Sequence, residues 1–100
     1  MAIREHHLKI APEHLNSVLD GSKKAELRKN DRDFKAGDVL ALLECVNDQY
    51  TGREWAAVVT HVLPADVVIP NAYEYAVLSI KPVSPADARS YMYFGVSYEH

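Results

Sequence analysis

The sequence is poor in cysteine, in positive charge and in long apolar runs, and each shortage excludes a class of protein. Cys45 is the only cysteine among 100 residues, so an intramolecular disulfide is impossible. Eleven basic residues against fourteen acidic ones give a net charge of −3, which argues against nonspecific coating of nucleic acid. We see no membrane-spanning apolar run and no signal peptide, so we expect a cytoplasmic protein without a membrane partner.

Length and composition predict a single folded domain over residues 1–100. Hydrophobic residues make up 48% of the chain, which is typical of a globular protein. The five histidines show no metal-ligand spacing and no cysteine pair accompanies them, so we expect no metal site. No glycine-rich phosphate loop or nucleophile elbow is present, and we expect no cofactor. The oligomeric state stays open at this point.

Hydrophobic patterns predict five short strands and two short helices. Apolar residues alternate or run continuously in the strand segments, which are residues 5–10, 24–29, 39–46, 54–63 and 73–83. A helix of about nine residues should begin at Pro12 and end before Gly21. A second should begin after Ser84 and end near Tyr93. Because the strands do not alternate with long helices, we predict an α+β fold, a small mixed-sheet β-barrel of five or six strands.

The predicted core combines apolar strand residues with one face of the first helix. We expect that helix to dock through Leu15, Val18 and Leu19. Phe34 should enter the core from a loop, and Thr51-Gly52 should form the tight end of a hairpin. The aromatic residues from Tyr91 onward are best explained as a helix that closes one side of the core, and the alternative is an aromatic patch for a partner or for base stacking. The expected strand residues of the core are Val39, Leu40, Leu42, Val58, Val77, Leu78 and Ile80.

The most polar stretch, residues 21–38, lies between the first helix and a long apolar strand. Because side chains alternate along a strand, its first part separates two apolar residues from four polar ones. The apolar residues are Ala25 and Leu27, and the polar residues are Lys24, Glu26, Arg28 and Asn30. Such a polar row can bind a phosphate and place a base edge beside it. The pattern alone, however, favours a solvated strand face with a weak Glu-Arg ion pair.

A family resemblance gives this row a different meaning. The order Gly21-x-Lys23-x-x-Glu26-x-Arg28 resembles the signature of ASCH domains (activating signal cointegrator homology), a branch of the PUA-like superfamily. The similarity to a bacterial and phage branch covers residues 6 to about 81, and residues 84–100 lie outside it. The further matching segments are His6–Glu13, Glu26–Phe34, Gly37-Asp38 and Tyr50–Arg53, together with Thr60.

The resemblance implies a five- or six-stranded PUA-like barrel with a cleft beside the first helix. It also implies RNA or a modified nucleoside as the partner. Small bacterial relatives are credited with ribonuclease activity or with amide hydrolysis of acetylated cytidine, and the signature lysine, here Lys23, is central to both. The amidohydrolase relatives carry a threonine where this sequence has Glu26. The resemblance therefore favours RNA binding or ribonuclease activity over amide hydrolysis.

Candidate site residues follow from this signature and from side-chain chemistry. The candidate catalytic residues are Lys23, Glu26, Arg28 and Tyr50, and the candidate RNA-binding residues are Lys9, Lys23, Arg28, Asn30, Arg32 and Arg53. In a ribonuclease without a metal, the ribose 2′-hydroxyl is the nucleophile, and Tyr50, Lys23 or a histidine serves as the base. Lys23 and Arg28 would stabilise the developing charge. An alternative of another class is a regulatory module that binds a protein partner through its acidic surface.

Overall fold

The computed structural model describes residues 4–89. The elements are β1 (Glu5–Ile10), α1 (Pro12–Leu19), β2 (Ala25–Lys29), β3 (Val39–Val46), β4 (Gln49–Pro64), the 3-10 turn η1 (Ala65–Val67) and β5 (Tyr75–Val83). Residues 85–89 form a short helix, α2, and Ser84 Oγ accepts a hydrogen bond of 3.1 Å from the Asp87 amide as its cap. The continuation of this helix to Tyr93 and the aromatic tail lie outside the described residues.

The five strands form one curled mixed sheet, a half-barrel, in the order β1-β3-β4-β5-β2. β1 and β3 are parallel, and the other neighbouring pairs are antiparallel. Helix α1 connects β1 to β2, the two outermost strands of this order, so its ends lie beside both open edges. The expectation of a small α+β, barrel-like fold is confirmed at this level. Among the described residues, no helix has the length and apolar character needed to cross a membrane.

The larger core cluster lies on the concave face of the sheet, where α1 and a loop cover it. A smaller cluster of Val39, Ala56 and Ala88 lies on the opposite face. Leu15 and Val18 of α1 are fully buried, and Phe34 is 2% exposed, as predicted. Leu19 was expected to dock as well, but it is 41% exposed because it ends the helix at the margin of the apolar stripe. Five of the seven predicted strand residues are buried, whereas Val58 and Val77 are half-buried on the outer face.

A β-bulge in β4 changes which side chains enter the core. Val59 pairs with Ile80, but the next pair joins His61 to Ser79, so Thr60 is an extra residue without a partner in the register. Beyond the bulge, Val62 packs against the same cluster as Val59. Strict alternation over residues 54–63 predicts Val62 on the same face as Val58, and this prediction is wrong because the bulge shifts the alternation by one residue.

The hairpin between β3 and β4 turns earlier than predicted. Val46 pairs with Gln49, so Asn47 and Asp48 are the only two turn residues between them. Their φ values of 50° and 62° are typical of a type I′ turn, whose twist matches that of the strands. β4 therefore begins at Gln49, and Thr51 and Gly52 lie within the strand.

Strand β2 turns its polar row towards the concave side of the sheet. Glu26 is 7% exposed, whereas Leu27 on the opposite face is 53% exposed. β2 pairs with β5, with Glu26 opposite the fully buried Leu78. The interpretation of the row as a solvated strand face therefore fails at Glu26, whose carboxylate lies inside the domain, while Lys24 and Asn30 are exposed.

Candidate functional site

The buried carboxylate of Glu26 holds two cations, one on each oxygen. Lys23 Nζ lies 3.0 Å from Oε1, and Arg28 Nε donates to Oε2 at 2.6 Å. The side chain of Glu26 is 9% exposed, while those of Lys23 and Arg28 are 23% and 27% exposed. We call these three residues the Glu26 triad. Its two cations are partly exposed, so they can contact a ligand while the carboxylate holds them in place.

The end of α1 sets the position of Lys23. Gly21 follows the helix with φ of +85°, a left-handed conformation that glycine adopts without strain. The backbone amide of Lys23 then donates to the carbonyl oxygen of Ser17 at 2.9 Å, and the amide of Ser22 donates to Asp20 Oδ1 at 2.8 Å. These hydrogen bonds fold the segment between α1 and β2 back onto the helix, and so they fix Lys23 beside Glu26.

Two of the predicted RNA-binding arginines also join the open edges of the sheet. Within the described residues, no backbone ladder connects β1 to β2. Arg28 Nη2 instead donates to the carbonyl oxygen of Lys9 at 2.9 Å, and Arg32 Nη1 donates to that of His7 at 2.7 Å. Both carbonyls belong to β1. We call this row of contacts the arginine seam. Arg28 and Arg32 thus have a structural role that the sequence pattern does not reveal.

Among the described contacts, Lys9 reaches the triad through its backbone carbonyl, and the side chains of Lys9 and Asn30 do not bond to it. Asn30 Oδ1 accepts a hydrogen bond of 3.0 Å from the amide of Phe34, so this side chain shapes the loop that inserts Phe34 into the core. The side chain of Lys9 is 58% exposed and its Nζ lies 3.9 Å from Asp48 Oδ1. Lys9 therefore contributes its carbonyl to the seam, while its ammonium group lies on the surface.

Arg53 and Tyr50 belong to a second polar cluster, on the hairpin. Glu44 is 8% exposed, and it accepts hydrogen bonds of 2.8 Å from both Thr51 Oγ1 and Arg53 Nε. Arg53 Nη2 also donates to Asn16 Oδ1 of α1 at 2.6 Å. The hydrogen bond from Thr51 lowers the pKa of Glu44 below its ordinary value; burial opposes this shift, and Arg53 reinforces it. The cluster joins the hairpin to α1.

Tyr50 is 60% exposed and lies at the rim of this cluster. It lines a cavity of about 140 Å³ together with Glu44, Arg53 and neighbouring residues of the hairpin. No described hydrogen bond joins Tyr50 to the Glu26 triad. Tyr50, the proposed base of a ribonuclease, and the proposed cations Lys23 and Arg28 thus belong to two different clusters. Both clusters contact α1, one through Asn16 and the other through Ser17.

A third polar group, which the sequence reasoning missed, lies at the other end of the concave face. Asp38 is 4% exposed, and it accepts hydrogen bonds from His6 Nε2 at 2.8 Å, Arg4 Nη2 at 2.8 Å and the amide of Lys35 at 3.0 Å. The His6 ring meets Phe34 edge to face, with ring centroids 4.7 Å apart. The signals in the sequence were the core-facing position of His6 and the Gly37-Asp38 turn, but nothing local indicates that they meet.

Burial and hydrogen bonding have opposite effects on the pKa of Asp38. Burial alone would raise the pKa of this carboxyl, but hydrogen bonds from the Lys35 amide, His6 and Arg4 outweigh burial and lower its pKa below the ordinary value. Every buried side-chain nitrogen and oxygen of residues 4–89 has a hydrogen-bond partner. Within the same range, no group of three or more histidine, cysteine or acidic residues is arranged to hold a metal ion. We therefore interpret the Asp38 group as a structural network.

Comparison with known proteins places the chain in a family and gives it a phage relative. A protein of Escherichia phage P2, described as an uncharacterized 12.9 kDa protein in the GpA 3′ region, is 40% identical over 62 residues. The match covers 62% of this chain and 57% of the phage protein. Residues 5–80 match the model of a domain of unknown function, DUF3850. This range includes β1 to β4, the first six residues of β5 and the Glu26 triad, and the chain belongs to the DUF3850 family.

Proposed function

We propose that this chain is a cytoplasmic RNA- or nucleotide-binding domain of the PUA-like type, and that Lys23 and Arg28 form its anion-binding face. One observation carries the proposal: both cations are held on the two oxygens of one buried carboxylate. A lysine and an arginine attached to the same carboxylate cannot move far apart, so they present their free N–H groups to a shared space. The resemblance to the ASCH signature supports the same residues.

The net charge of the Glu26 triad favours binding of an anion with a single negative charge. Two cations and one carboxylate leave a net charge of +1, which matches the single negative charge of a phosphodiester. Lys23 has three N–H donors and Arg28 has five, so the contacts within the domain leave donors for a ligand. Because Glu26 already orients both side chains, little side-chain entropy is lost when an anion binds.

Ribonuclease activity extends this proposal and requires more of the site. A base must take the proton of the ribose 2′-hydroxyl, but both oxygens of Glu26 are occupied by cations. Tyr50 belongs to the Glu44 cluster, so an RNA strand would have to extend along α1 to reach both groups. The described contacts therefore favour binding over cleavage, and we place turnover second. Amide hydrolysis comes last, because Glu26 lacks the hydroxyl nucleophile of those relatives.

The first test is RNA binding with a matched pair of lysine variants. We expect Lys23→Ala to weaken binding of a fluorescent single-stranded RNA and to reduce the slope of log affinity against log salt by about 0.7, the value for one phosphate contact. Lys29→Ala is the control, because Lys29 lies at the end of β2, points to the face opposite Glu26 and is exposed. Equal binding by the two variants and the wild type would exclude the triad as the site.

The second test separates binding from turnover. The purified protein is incubated with mixed RNA and with modified nucleosides, and the products are identified by mass spectrometry. RNA products that disappear in Lys23→Ala would establish the ribonuclease, whereas binding without products would leave a binding domain. A free acetate product from an acetylated nucleoside would instead support the amidohydrolase.

A protein-interaction module is the second candidate function. It is favoured by exposed apolar side chains on the outer faces of β2 and β5 and in the loop before β5, among them Leu27, Ile69 and Tyr75. The salt series distinguishes the two functions, because RNA affinity falls steeply with salt whereas binding through an apolar surface changes less.

A further inference from the structure

One side of the molecule carries an exposed apolar surface that the proposed RNA site does not use. Leu27 and Tyr75, on neighbouring strands, are 53% and 44% exposed. With Ile69 and Ala72 they line a cavity of about 190 Å³ whose walls expose only apolar surface. Exposed apolar surface of this kind marks an interaction site when it is contiguous. We call these four residues the apolar groove. It lies on the face of β2 opposite Glu26 and Arg28.

The loop that forms one wall of the groove also carries two highly exposed valines, Val67 and Val68, which form a protrusion. Val67 and Val68 are 66% and 61% exposed, well above the exposure of the groove residues in the same loop. The loop is held by its own backbone, because the amides of Val68 and Ile69 both donate to the carbonyl oxygen of Ala65, at 3.1 and 2.8 Å. Ala65 itself is fully buried and anchors the turn. The two valines are thus presented on a structured turn.

Charges of opposite sign accompany these two features. Lys29 lies on the groove side, since it is paired in register with Tyr75, and it is exposed. Asp66 precedes the two valines in η1 and is also exposed. Within residues 4–89, neither Lys29 nor Asp66 has an ion-pair partner. One surface therefore combines a groove beside a lysine with a protrusion beside an aspartate.

We propose that this surface binds a second copy of the chain in a twofold-symmetric dimer. An interface of this symmetry must be self-complementary, because the same surface of each copy faces the other. The twofold axis places Val67 and Val68 of each copy against the apolar groove of its partner. The same operation brings Asp66 of each copy to Lys29 of its partner, so two charges that have no ion-pair partner among residues 4–89 pair across the interface. Both Glu26 triads stay outside the interface, and the dimer does not depend on the proposed RNA site.

The test is the molar mass of the full chain in solution, measured by light scattering or sedimentation over a concentration series. The mass should rise from 11.2 kDa towards twice that value. We expect Leu27→Asp and Val68→Asp each to keep the protein monomeric, since a charge would then enter an apolar contact. Both positions are exposed in the monomer, so the far-UV spectrum and melting temperature of the monomeric variants should show a folded protein.

Charge reversal distinguishes this dimer from any other. Lys29→Glu and Asp66→Lys should each weaken self-association at least about tenfold, because each creates two like-charge contacts. A mixture of the two variants should restore a heterodimer, since both of its contacts then join opposite charges. A wild-type protein that stays monomeric at all concentrations overturns the proposal and leaves the surface to a different protein. The proposal is also overturned if the charge reversals leave the affinity of the dimer unchanged. The same holds if a mixture of the two variants does not form a heterodimer.

Discussion

Arg28 Nη2 donates a hydrogen bond of 2.9 Å to the backbone carbonyl oxygen of Lys9, and this contact joins β2 to β1. These strands are the two edges of the sheet. Exposed strand edges carry unpaired backbone groups that can pair with other chains, so proteins cover or close them. Here the long side chains of Arg28 and Arg32 donate to carbonyls of β1, so arginine side chains link the two edges of the half-barrel where no backbone ladder joins β1 to β2 within the described residues.

The arginine seam predicts a loss of stability for Arg28→Lys. Lysine keeps the charge, but its ammonium group lacks the planar fork of guanidinium. It therefore cannot donate to Glu26 and to the Lys9 carbonyl at the same time. We expect a decrease of about 1–2 kcal/mol in the free energy of unfolding, measured with urea, since hydrogen bonds of charged groups are worth somewhat more than neutral ones. The substitution Arg89→Lys, outside the seam, should have almost no effect. An unchanged midpoint for Arg28→Lys would contradict the seam.

The seam also affects how RNA-binding data are interpreted. Because Arg28 both stabilises the fold and belongs to the proposed anion site, weaker RNA binding by Arg28→Lys does not by itself identify a ligand contact. Lys23 is the better probe, since its side chain bonds to Glu26 but not to β1.

The ion pair of Lys23 and Glu26 should contribute to stability. The position of Lys23 just after Gly21 favours an exposed cation that contributes little to folding, but its ammonium group lies 3.0 Å from a buried carboxylate. A double-mutant cycle of Lys23→Ala and Glu26→Gln should give a coupling energy of about 1 kcal/mol, above the typical value for a fully exposed pair and below that for a buried one. A coupling of zero would mean that Arg28 alone neutralises Glu26.

Local patterns were sufficient for the elements that have strong signals of their own. β1 alternates clearly between buried and exposed residues, α1 has Pro12 at its start and Gly21 after its end, and β3 is apolar except for Glu44. The spacing in β2 also grouped Glu26 with Arg28 correctly. Which face of β2 turns inward was not predictable, because alternation is the same for both faces. A glutamate can be buried there only because Lys23 and Arg28 neutralise it.

Contacts between distant parts of the chain account for most of what the sequence did not reveal. Glu44 and Arg53 meet across a hairpin, while Asn16 reaches Arg53 from a helix 37 residues away. His6 and Asp38 are separated by 32 residues and meet because β1 and β3 are parallel neighbours. Such pairs depend on topology, and no local motif specifies them.

The hairpin turn offers a stabilising substitution. Two consecutive residues with positive φ favour Asn-Gly in a two-residue turn, and this chain has Asn47-Asp48. Asp48→Gly removes the steric cost of a side chain at φ of 62°. We therefore expect the free energy of unfolding, measured by thermal denaturation, to rise by about 0.5 kcal/mol. The contact of Asp48 with Lys9 is long and exposed, so its loss costs little. Asp48→Val should lower the melting temperature; a gain from valine would contradict the turn assignment.

The two faces of β4 can be distinguished by truncating neighbouring valines. Val59 is fully buried in the concave core, whereas Val58 is half-buried on the outer face. We expect Val59→Ala to cost about 2–3 kcal/mol and Val58→Ala about 1 kcal/mol, because the first leaves a cavity and the second loses part of an exposed contact. Urea denaturation of both variants measures the difference. The reverse order of costs would place the bulge elsewhere in the strand.

The lowered pKa of Asp38 predicts a specific loss of stability in acid. A carboxyl whose pKa is lower in the folded state stabilises the protein above its unfolded pKa of about 3.9, and this contribution is lost as the pH falls towards the folded value. Asp38→Asn removes the ionisable group. We therefore expect the wild type to lose more stability between pH 7 and about pH 3 than the variant does, as measured by urea unfolding at both pH values.

The control for this comparison is Asp31→Asn, because Asp31 is exposed and has no described hydrogen bond from its side chain. Asp20 and Glu44 also have lowered pKa values, through hydrogen bonds from Ser22 and from Thr51, and they contribute to the acid sensitivity of every variant. Their contribution cancels when wild type and variant are compared. Asp31→Asn should therefore keep the full acid sensitivity of the wild type, and Asp38→Asn should reduce it. Equal acid sensitivity in all three proteins would show that Asp38 is no better stabilised as an anion in the fold than in the unfolded chain.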